Sequence, residues 1–236
     1  MYDVSVIILC YNRLEYTKNC FESLIRNCPG KTEVVFVDNK STDGTRVWLK
    51  KIEKKFPSVK VVLNDSNLYP ARGNAVGLRN ASKAKAYLLC DNDGLFVSPD
   101  WYTEGMLLLN NIPKLGIINL RKSRWRMIDK NPVMLFKGIE YSITNRIASF
   151  SLMIPEVAEK LGKSLKGKWI GHVIATLAGR IGYKSGRHIK GHILDQSDND
   201  FDNEEYKEQY EKLWTAKKRL PELKRRIKII QDEKKN

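Results

Sequence analysis

The most constraining feature of the sequence is an apolar run that leads directly into acidic residues and a glycine, Tyr87-Leu88-Leu89-Cys90-Asp91-Asn92-Asp93-Gly94. Such a run predicts a strand that is buried on both faces of a parallel sheet. In open α/β sheets, ligands bind beyond the carboxyl ends of the strands, where Asp91 and Asp93 fall. Two carboxylates this close repel each other out of water unless a cation or hydrogen-bond donors compensate them. The run therefore indicates either a divalent-cation site or a solvated Asp-Asn-Asp-Gly turn.

Strands and helices alternate along the first hundred residues. Apolar, β-branched runs predict strands over residues 4–9, 33–37, 59–63 and 87–91, and helical spacing predicts helices near 14–28, 48–56 and 70–81. This alternation is typical of a mostly parallel sheet covered by helices. In the second half we expect helices over 101–110, 155–162 and 170–180, and strands over 116–120 and 148–154, with a last strand carrying His188 and His192.

Two further side chains near predicted strand ends are candidate binding residues. Asp38 closes the second strand, where a carboxylate can accept a hydrogen bond from a base or a ribose hydroxyl. Arg72 lies near the start of a predicted helix, where its planar guanidinium could brace a diphosphate. The alternatives are that Asp38 caps the next helix and that Arg72 is a solvated charge.

The sequence lacks both of the common glycine-rich phosphate-binding motifs. No G-x-G-x-x-G follows the first strand, which disfavours a dinucleotide-binding dehydrogenase, and no G-x-x-x-x-G-K-[ST] is present. Without a glycine cradle, the charge of a bound diphosphate needs another counter-charge. A cation held by carboxylates supplies it, because Mg²⁺ typically binds one or two carboxylates together with phosphate oxygens.

Composition limits the class of protein and its partners. The 236 residues allow one large domain, and the formal net charge of +15 favours an anionic partner without choosing among a nucleotide, a membrane and a nucleic acid. The longest apolar run is too short to span a bilayer, and no signal peptide is evident. The four cysteines form no C-x-x-C pair. We therefore expect reduced, buried thiols in a cytoplasmic protein.

Four motifs in order carry a resemblance to a known family. They are Val4-Ser5-Val6-Ile7-Ile8 with Tyr11-Asn12-Arg13, Glu33-Val34-Val35-Phe36-Val37-Asp38-Asn39 with Ser41-Thr42-Asp43-Gly44-Thr45, Asn67 with Ala71-Arg72-Gly73-Asn74, and Asp91-Asn92-Asp93. Together they resemble family 2 glycosyltransferases of the GT-A fold, with Asp91-Asn92-Asp93 matching that family's D-x-D. One departure is Cys10, where the family usually has proline.

The resemblance implies roles for individual residues. The nucleotide-sugar-binding residues would be Tyr11, Asn12, Arg13, Asp38, Asn67, Arg72, Asp91, Asn92 and Asp93. Among them, Asp38 would contact the base, Asp91 would lie near the ribose or sugar, and Asp93 would ligate Mn²⁺ or Mg²⁺. His192 is a candidate second metal ligand, since GT-A enzymes often place a histidine or acid after the acceptor region; its alternative is an exposed strand-end histidine. The donor would be a UDP- or GDP-sugar.

A second departure concerns the general base. Inverting members usually carry an acidic motif at the start of the late helix, whereas this chain reads Lys168-Trp169-Ile170-Gly171-His172-Val173. His172 is the candidate base there, because imidazole titrates near neutral pH. The alternatives are a base from Glu140 or Asp129, a retaining mechanism, or a protein that has lost catalysis.

The organisation we predict is a nucleotide-sugar-binding half over 1–115, an acceptor-binding half of the same domain over 116–200, and a basic helical tail over 201–236. From Trp214 onward the tail holds nine basic and three acidic residues, so 9 − 3 = +6. It could lie on an anionic membrane on the cytoplasmic face, or pack on the body or on a second copy in a homodimer.

The leading hypothesis is a metal-dependent glycosyltransferase that moves a sugar from a nucleoside-diphosphate sugar to a hydroxyl acceptor. The net charge and the missing acidic motif favour the alternative, a non-catalytic or nucleic-acid-binding protein on the same scaffold. A nucleotidyltransferase is a weaker third hypothesis, because it would want a glycine-rich loop after the first strand.

Overall fold

The computed structural model describes residues 1–122, 131–145, 147, 149–168, 170–171 and 173–196. His172, Asp129 with the rest of residues 123–130, and the tail over 201–236 lie outside the described residues. No helix in the described ranges is long and apolar enough to cross a membrane.

Strands and helices alternate through the first 91 residues as the sequence predicts. The elements are β1 (Tyr2–Cys10), α1 (Leu14–Asn27), β2 (Thr32–Asp38), α2 (Thr45–Lys55), β3 (Val59–Leu63), α3 (Tyr69–Asn80) and β4 (Ala84–Asp91). The second half contains β5 (Gly94–Phe96), α4 (Trp101–Asn111), β6 (Leu115–Asn119), β7 (Met134–Phe136), β8 (Ile139–Ile143), β9 (Ser151–Met153), α5 (Pro155–Ser164), α6 (Val173–Gly179), β10 (Lys184–His188) and β11 (Ile193–Asp195).

Nine strands form one continuous sheet in the order β3-β2-β1-β4-β9-β6-β10-β8-β7. The first four strands pair in parallel, which confirms the predicted parallel sheet. β9 is antiparallel to both of its neighbours, β4 and β6, and therefore joins the two halves of the molecule edge to edge. A separate two-stranded sheet pairs β5 with β11.

The central strands bury side chains on both faces. Along β1, Val4, Val6 and Ile8 pack on one side with residues of α1, α2 and α4, whereas Ile7 and Leu9 pack on the other with residues of α3, α5 and α6. This period of two explains why the strands read as continuous apolar runs. The two layers of helices leave the carboxyl ends of β1, β2 and β4 as one polar edge.

Two predicted elements differ from those observed. The last predicted strand is two strands, because a turn with Gly191 at a φ of 64° separates His188, at the end of β10, from His192. The strand predicted over 148–154 is limited to Ser151–Met153. Phe150 just before it has a φ of 64°, which is incompatible with extended backbone.

Gly77 offers a direct test of how α3 packs on the sheet. A Cβ added at Gly77 would lie 2.3 Å from Ile7 Cγ2 and 3.0 Å from Val37 Cγ2. We expect Gly77→Ala to lower the free energy of unfolding by about 1 to 3 kcal/mol, although alanine is the better helix former. Denaturant titration measures this change. Gly179→Ala is the matched control, since a Cβ there meets nothing within 4 Å; equal stability of the two variants would contradict the packing.

Candidate active site at the carboxyl edge of the sheet

The registers of three neighbouring strands bring the predicted carboxylates together. Cys10 at the end of β1 pairs with Asp38 on one side, and Leu9 pairs with Asp91 on the other. Because β2 and β4 both neighbour β1, the backbones of Asp38 and Asp91 are about 10 Å apart. Asp93 follows in the tight turn between β4 and β5. The backbone registers therefore place the predicted carboxylates Asp38 and Asp91 at one edge of the sheet.

The loop after β1 is hydrogen-bonded to the loops that follow β2 and β4. Asn12 and Arg13 adopt left-handed backbone conformations, with φ of 57° and 63°. The Asn12 side-chain oxygen accepts a hydrogen bond from the Thr42 N–H at 2.8 Å, and the Asn12 N–H donates to Ser41 Oγ at 2.7 Å. On the other side, Asn92 Nδ2 donates to the Asn12 carbonyl at 2.9 Å. Asn92 is therefore a buried brace between the β1 loop and the Asp91-Asn92-Asp93 turn, rather than a side chain open to a ligand.

Asp38 is fully buried and only partly satisfied. Its Oδ2 accepts a hydrogen bond from the Ser41 N–H at 3.1 Å and lies 3.2 Å from Arg46 Nε. Its Oδ1 has no hydrogen-bond partner among the described residues. Asp43, and not Asp38, accepts from the N–H groups of Leu14 and Thr45 that begin α1 and α2. The capping alternative for Asp38 is therefore wrong, and a buried acceptor remains at the end of β2.

Three carboxylates lie together beyond β4. Burial is the main cause that raises the pKa of Asp91 to about 6, and the negative charges of Asp93 and Asp195 raise it further. A hydrogen bond with Ser149 and the charge of Arg121 act in the opposite direction. Asp195 reaches this group because it pairs with Gly94 in the small sheet, and its Oδ2 lies 3.1 Å from Arg121 Nη2.

The remaining predicted binding residues lie around this edge. Tyr11 is half exposed at the end of β1. The Asn67 side chain accepts from the Tyr69 N–H at 2.8 Å and so shapes the entry to α3, on whose first turn Arg72 is exposed. Tyr69 has a φ of 60°, and Lys168 Nζ lies 4.8 Å from the centre of its ring. The start of α3 is thereby linked to the segment that precedes α6.

His192 and Asp93 have different neighbours in the structure. The His192 carbonyl accepts from the Val97 N–H, whereas the Asp93 carbonyl accepts from the Gln196 N–H. His192 is therefore four strand positions from Gln196, or about 13 Å. Its Nε2 lies 2.8 Å from Glu104 Oε2. The structure does not bring His192 and Asp93 together.

Glu104, His188 and His192 form a second candidate metal centre, with their ligand atoms within 4.8 Å of one another. His188 Nε2 lies 2.7 Å from the same Glu104 oxygen that His192 contacts. However, His188 Nδ1 accepts a hydrogen bond from the Gly191 N–H at 3.1 Å, so a neutral His188 carries its proton on Nε2. A protonated Nε2 donates to Glu104 and cannot ligate a metal. The hydrogen bonds thus favour a structural cluster that ties α4 to the two last strands.

Sequence reasoning missed three charged residues of this edge. Arg46 contacts Asp38, whereas Arg121 and Asp195 pair with each other and act on the pKa of Asp91 through their charges. All three fall outside the four motifs. Two of them had a sequence signal: Asp195 begins an acidic segment directly after the last predicted strand, and Arg121 begins a basic run with an aromatic residue, Arg121-Lys122-Ser123-Arg124-Trp125-Arg126.

The sheet has parallel and antiparallel strands, lies between two layers of helices and carries acidic residues at the ends of β2 and β4. This is the arrangement of the GT-A fold, a class of nucleotide-diphospho-sugar transferases. The sequence profile of glycosyl transferase family 2 matches residues 5–162. The chain belongs to that family. The predicted fold class is confirmed for the described residues.

Solved structures of the same fold share little sequence with the chain. The mannosyltransferase PcManGT from Pyrobaculum calidifontis, in complex with GDP-Man and Mn²⁺, has a TM-score of 0.64 and 20% identity over 84% of this chain and 57% of its own. S. aureus TarS 1-349 in complex with UDP-GlcNAc has a TM-score of 0.63 and 17% identity over 90% of this chain and 65% of its own.

GalNAc-T7 with UDP, GalNAc and Mn²⁺ has a TM-score of 0.63 and 12% identity over 81% of this chain and 42% of its own. The chain therefore spans less than two thirds of the length of each of these three structures. No curated protein sequence matches the chain significantly.

Proposed function

We propose that the chain is a metal-dependent glycosyltransferase that transfers a sugar from a nucleoside-diphosphate sugar to a hydroxyl acceptor. The observation that carries the proposal is the group of three carboxylates, Asp91, Asp93 and Asp195, at the carboxyl edge of the sheet. Burial raises the pKa of Asp91 to about 6, and repulsion from the charges of Asp93 and Asp195 raises it further; a divalent cation would relieve that repulsion. An all-oxygen ligand set suits Mg²⁺ or Mn²⁺. When bound, the cation would stabilise negative charge on the leaving diphosphate.

The donor would be held by residues of the first half. The unpartnered Oδ1 of Asp38 can accept a hydrogen bond from an N–H of the base. The exposed ring of Tyr11 lies one residue beyond β1 and offers a stacking surface, and the exposed Arg72 supplies positive charge for the diphosphate. Mn²⁺ with GDP-Man or UDP in two structures of the same fold supports a UDP- or GDP-sugar as donor.

The acceptor would meet the sugar near the segment before α6. The hydrogen bond from the Ala71 N–H to the Lys168 carbonyl, at 3.2 Å, brings that segment to the start of α3. His172 remains the candidate general base and lies outside the described residues. Of the candidate bases, the described residues include Glu140, which is exposed on β8.

A screen of nucleotide sugars tests the proposal. Each donor is added with and without Mn²⁺ or Mg²⁺, and thermal unfolding and release of the nucleoside diphosphate are measured. We expect a UDP- or GDP-sugar at about 100 times its Kd to stabilise the protein by about 2.7 kcal/mol, and only with the metal present. If no donor shifts the unfolding temperature while RNA or DNA binds with a steep salt dependence, the nucleic-acid-binding alternative replaces the proposal.

A further inference from the structure

Asp93 is already paired with a cation of the protein itself. Arg13 Nη1 lies 2.9 Å from Asp93 Oδ2. The Asp93 side chain is 10% exposed and that of Arg13 is 50% exposed, so the pair joins a mostly buried carboxylate to a guanidinium that still reaches solvent. A short charge-assisted hydrogen bond to a mostly buried carboxylate is among the stronger side-chain contacts.

The local structure holds the Arg13 guanidinium in this position. Arg13 is the residue before α1, and its carbonyl accepts from the N–H of Thr17. Its backbone is left-handed, like that of Asn12, and its side chain reaches Asp93 in the β4–β5 turn. The guanidinium carbon also lies 5.8 Å from the centre of the Tyr16 ring. These contacts make the pair a built feature rather than a chance approach of two mobile side chains.

We propose that Arg13 is a resident counter-ion of Asp93, with which an incoming divalent cation must compete. This inference rests on the proposed function, because it concerns the carboxylate proposed there as a metal ligand. A metal that binds Asp93 either displaces the guanidinium or stays close to it, and two cations at one carboxylate repel each other. Arg13 therefore weakens binding of the metal alone.

A nucleoside diphosphate changes this competition. Its phosphate oxygens add negative charge beside Asp93, which compensates the charges of both the metal and the guanidinium. The competition should then weaken. The metal and the nucleotide are therefore expected to bind cooperatively, and part of that cooperativity comes from Arg13.

The experiment measures Mn²⁺ binding to the full chain, without substrate turnover. The Kd is determined by electron paramagnetic resonance of free Mn²⁺, with and without saturating UDP or GDP, for wild type, Arg13→Gln, Arg13→Lys and Asp93→Asn. We expect Arg13→Gln to bind Mn²⁺ about tenfold more tightly than wild type without nucleotide, and by a smaller factor with it. Arg13→Lys keeps the charge and should stay close to wild type.

Lys18→Gln is the matched control. It removes one positive charge from α1, the helix that Arg13 precedes. Lys18 there pairs with the exposed Glu15 at 2.6 Å. Its Mn²⁺ affinity should stay within about twofold of wild type, because exposed charges are screened. Near-UV circular dichroism establishes that each variant is folded.

The outcomes separate this inference from the proposed function. If Arg13→Gln binds Mn²⁺ no more tightly than wild type while Asp93→Asn abolishes binding, the counter-ion role is overturned and the metal site stands. If no variant binds Mn²⁺ even with UDP or GDP, both are overturned. An equal gain in Mn²⁺ affinity for Lys18→Gln would also overturn the inference, because the gain would then come from the change in net charge and not from the Arg13–Asp93 pair.

Discussion

Asp93→Asn should lower kcat/KM for sugar transfer by at least about 10³-fold, because it removes a charged oxygen ligand from the proposed cation. The fold should survive the change. Asp93 lies in a turn, and the loss of its ion pair with the half-exposed Arg13 should change the free energy of unfolding by no more than about 1 kcal/mol. Steady-state kinetics with the donor found by the screen, together with denaturant titration, measure both quantities.

Asp65→Asn is the control for this prediction. Asp65 also follows a strand at the same edge of the sheet, but its side chain is exposed. Its activity should stay close to that of wild type. Full activity of Asp93→Asn in the presence of Mn²⁺ would remove Asp93 from the proposed metal site.

Asp91→Asn should have opposite effects on activity and on stability. Activity should fall at least about 100-fold, because Asp91 belongs to the same carboxylate group. The metal-free protein should become more stable at pH 7, because an uncharged side chain avoids the cost of burying a carboxylate next to Asp93 and Asp195. The pKa of Asp91 rises from 3.8 to about 6, which corresponds to about 3 kcal/mol at most. Asp91 is not fully shielded from solvent, and screening by water reduces this figure, so we expect a gain of about 1 to 2 kcal/mol.

The pH dependence identifies the origin of that gain. Folded wild type holds the Asp91 proton more tightly than the unfolded chain does, so protonation favours the folded state. The contribution of Asp91 to the free energy of unfolding is therefore full below pH 3.8 and is lost as pH rises through about 6. The difference between Asp91→Asn and wild type should grow over the same window. Urea titrations at several pH values, without metal, measure it.

Asp3→Asn provides a control of opposite sign. A hydrogen bond from Lys85 is the largest contribution that holds the pKa of Asp3 below its usual value, so its charged form favours the folded state. This variant should be slightly less stable than wild type at pH 7. A loss of stability in Asp91→Asn at pH 7 would contradict the raised pKa.

The parallel half of the fold could be predicted from the sequence because its signals are local. Each apolar run ends at a turn residue or a carboxylate, and each helix carries its own period. The strand predicted over Val59–Leu63 matches β3, and the carboxylates that follow β2 and β4 lie at one edge, as the general rule for parallel strands requires. The positions of Asp38, Asp91 and Asp93 therefore followed from strand ends alone.

Residues that reach the site through long-range pairing could not be found in this way. Asp195 joins Asp91 and Asp93 only because β11 pairs with β5, about one hundred residues earlier in the chain. His192 was a candidate metal ligand because it lies on the last predicted strand, after the acceptor region. The turn at Gly191 instead directs its Nε2 toward Glu104 on α4. The spacing of residues along the sequence does not reveal such a turn. The pairing of β11 with β5 determines where it lies.

The position of β9 has a consequence for protein engineering. This three-residue strand lies between β4, which carries Asp91, and β6, which begins at Leu115. A fragment that ended near residue 115 would leave one side of β4 without a partner, and unpaired strand edges promote aggregation. Chimeras that exchange the second half of the chain between relatives should therefore transplant β6, β9 and β10 as a block, and not splice the chain at the midpoint.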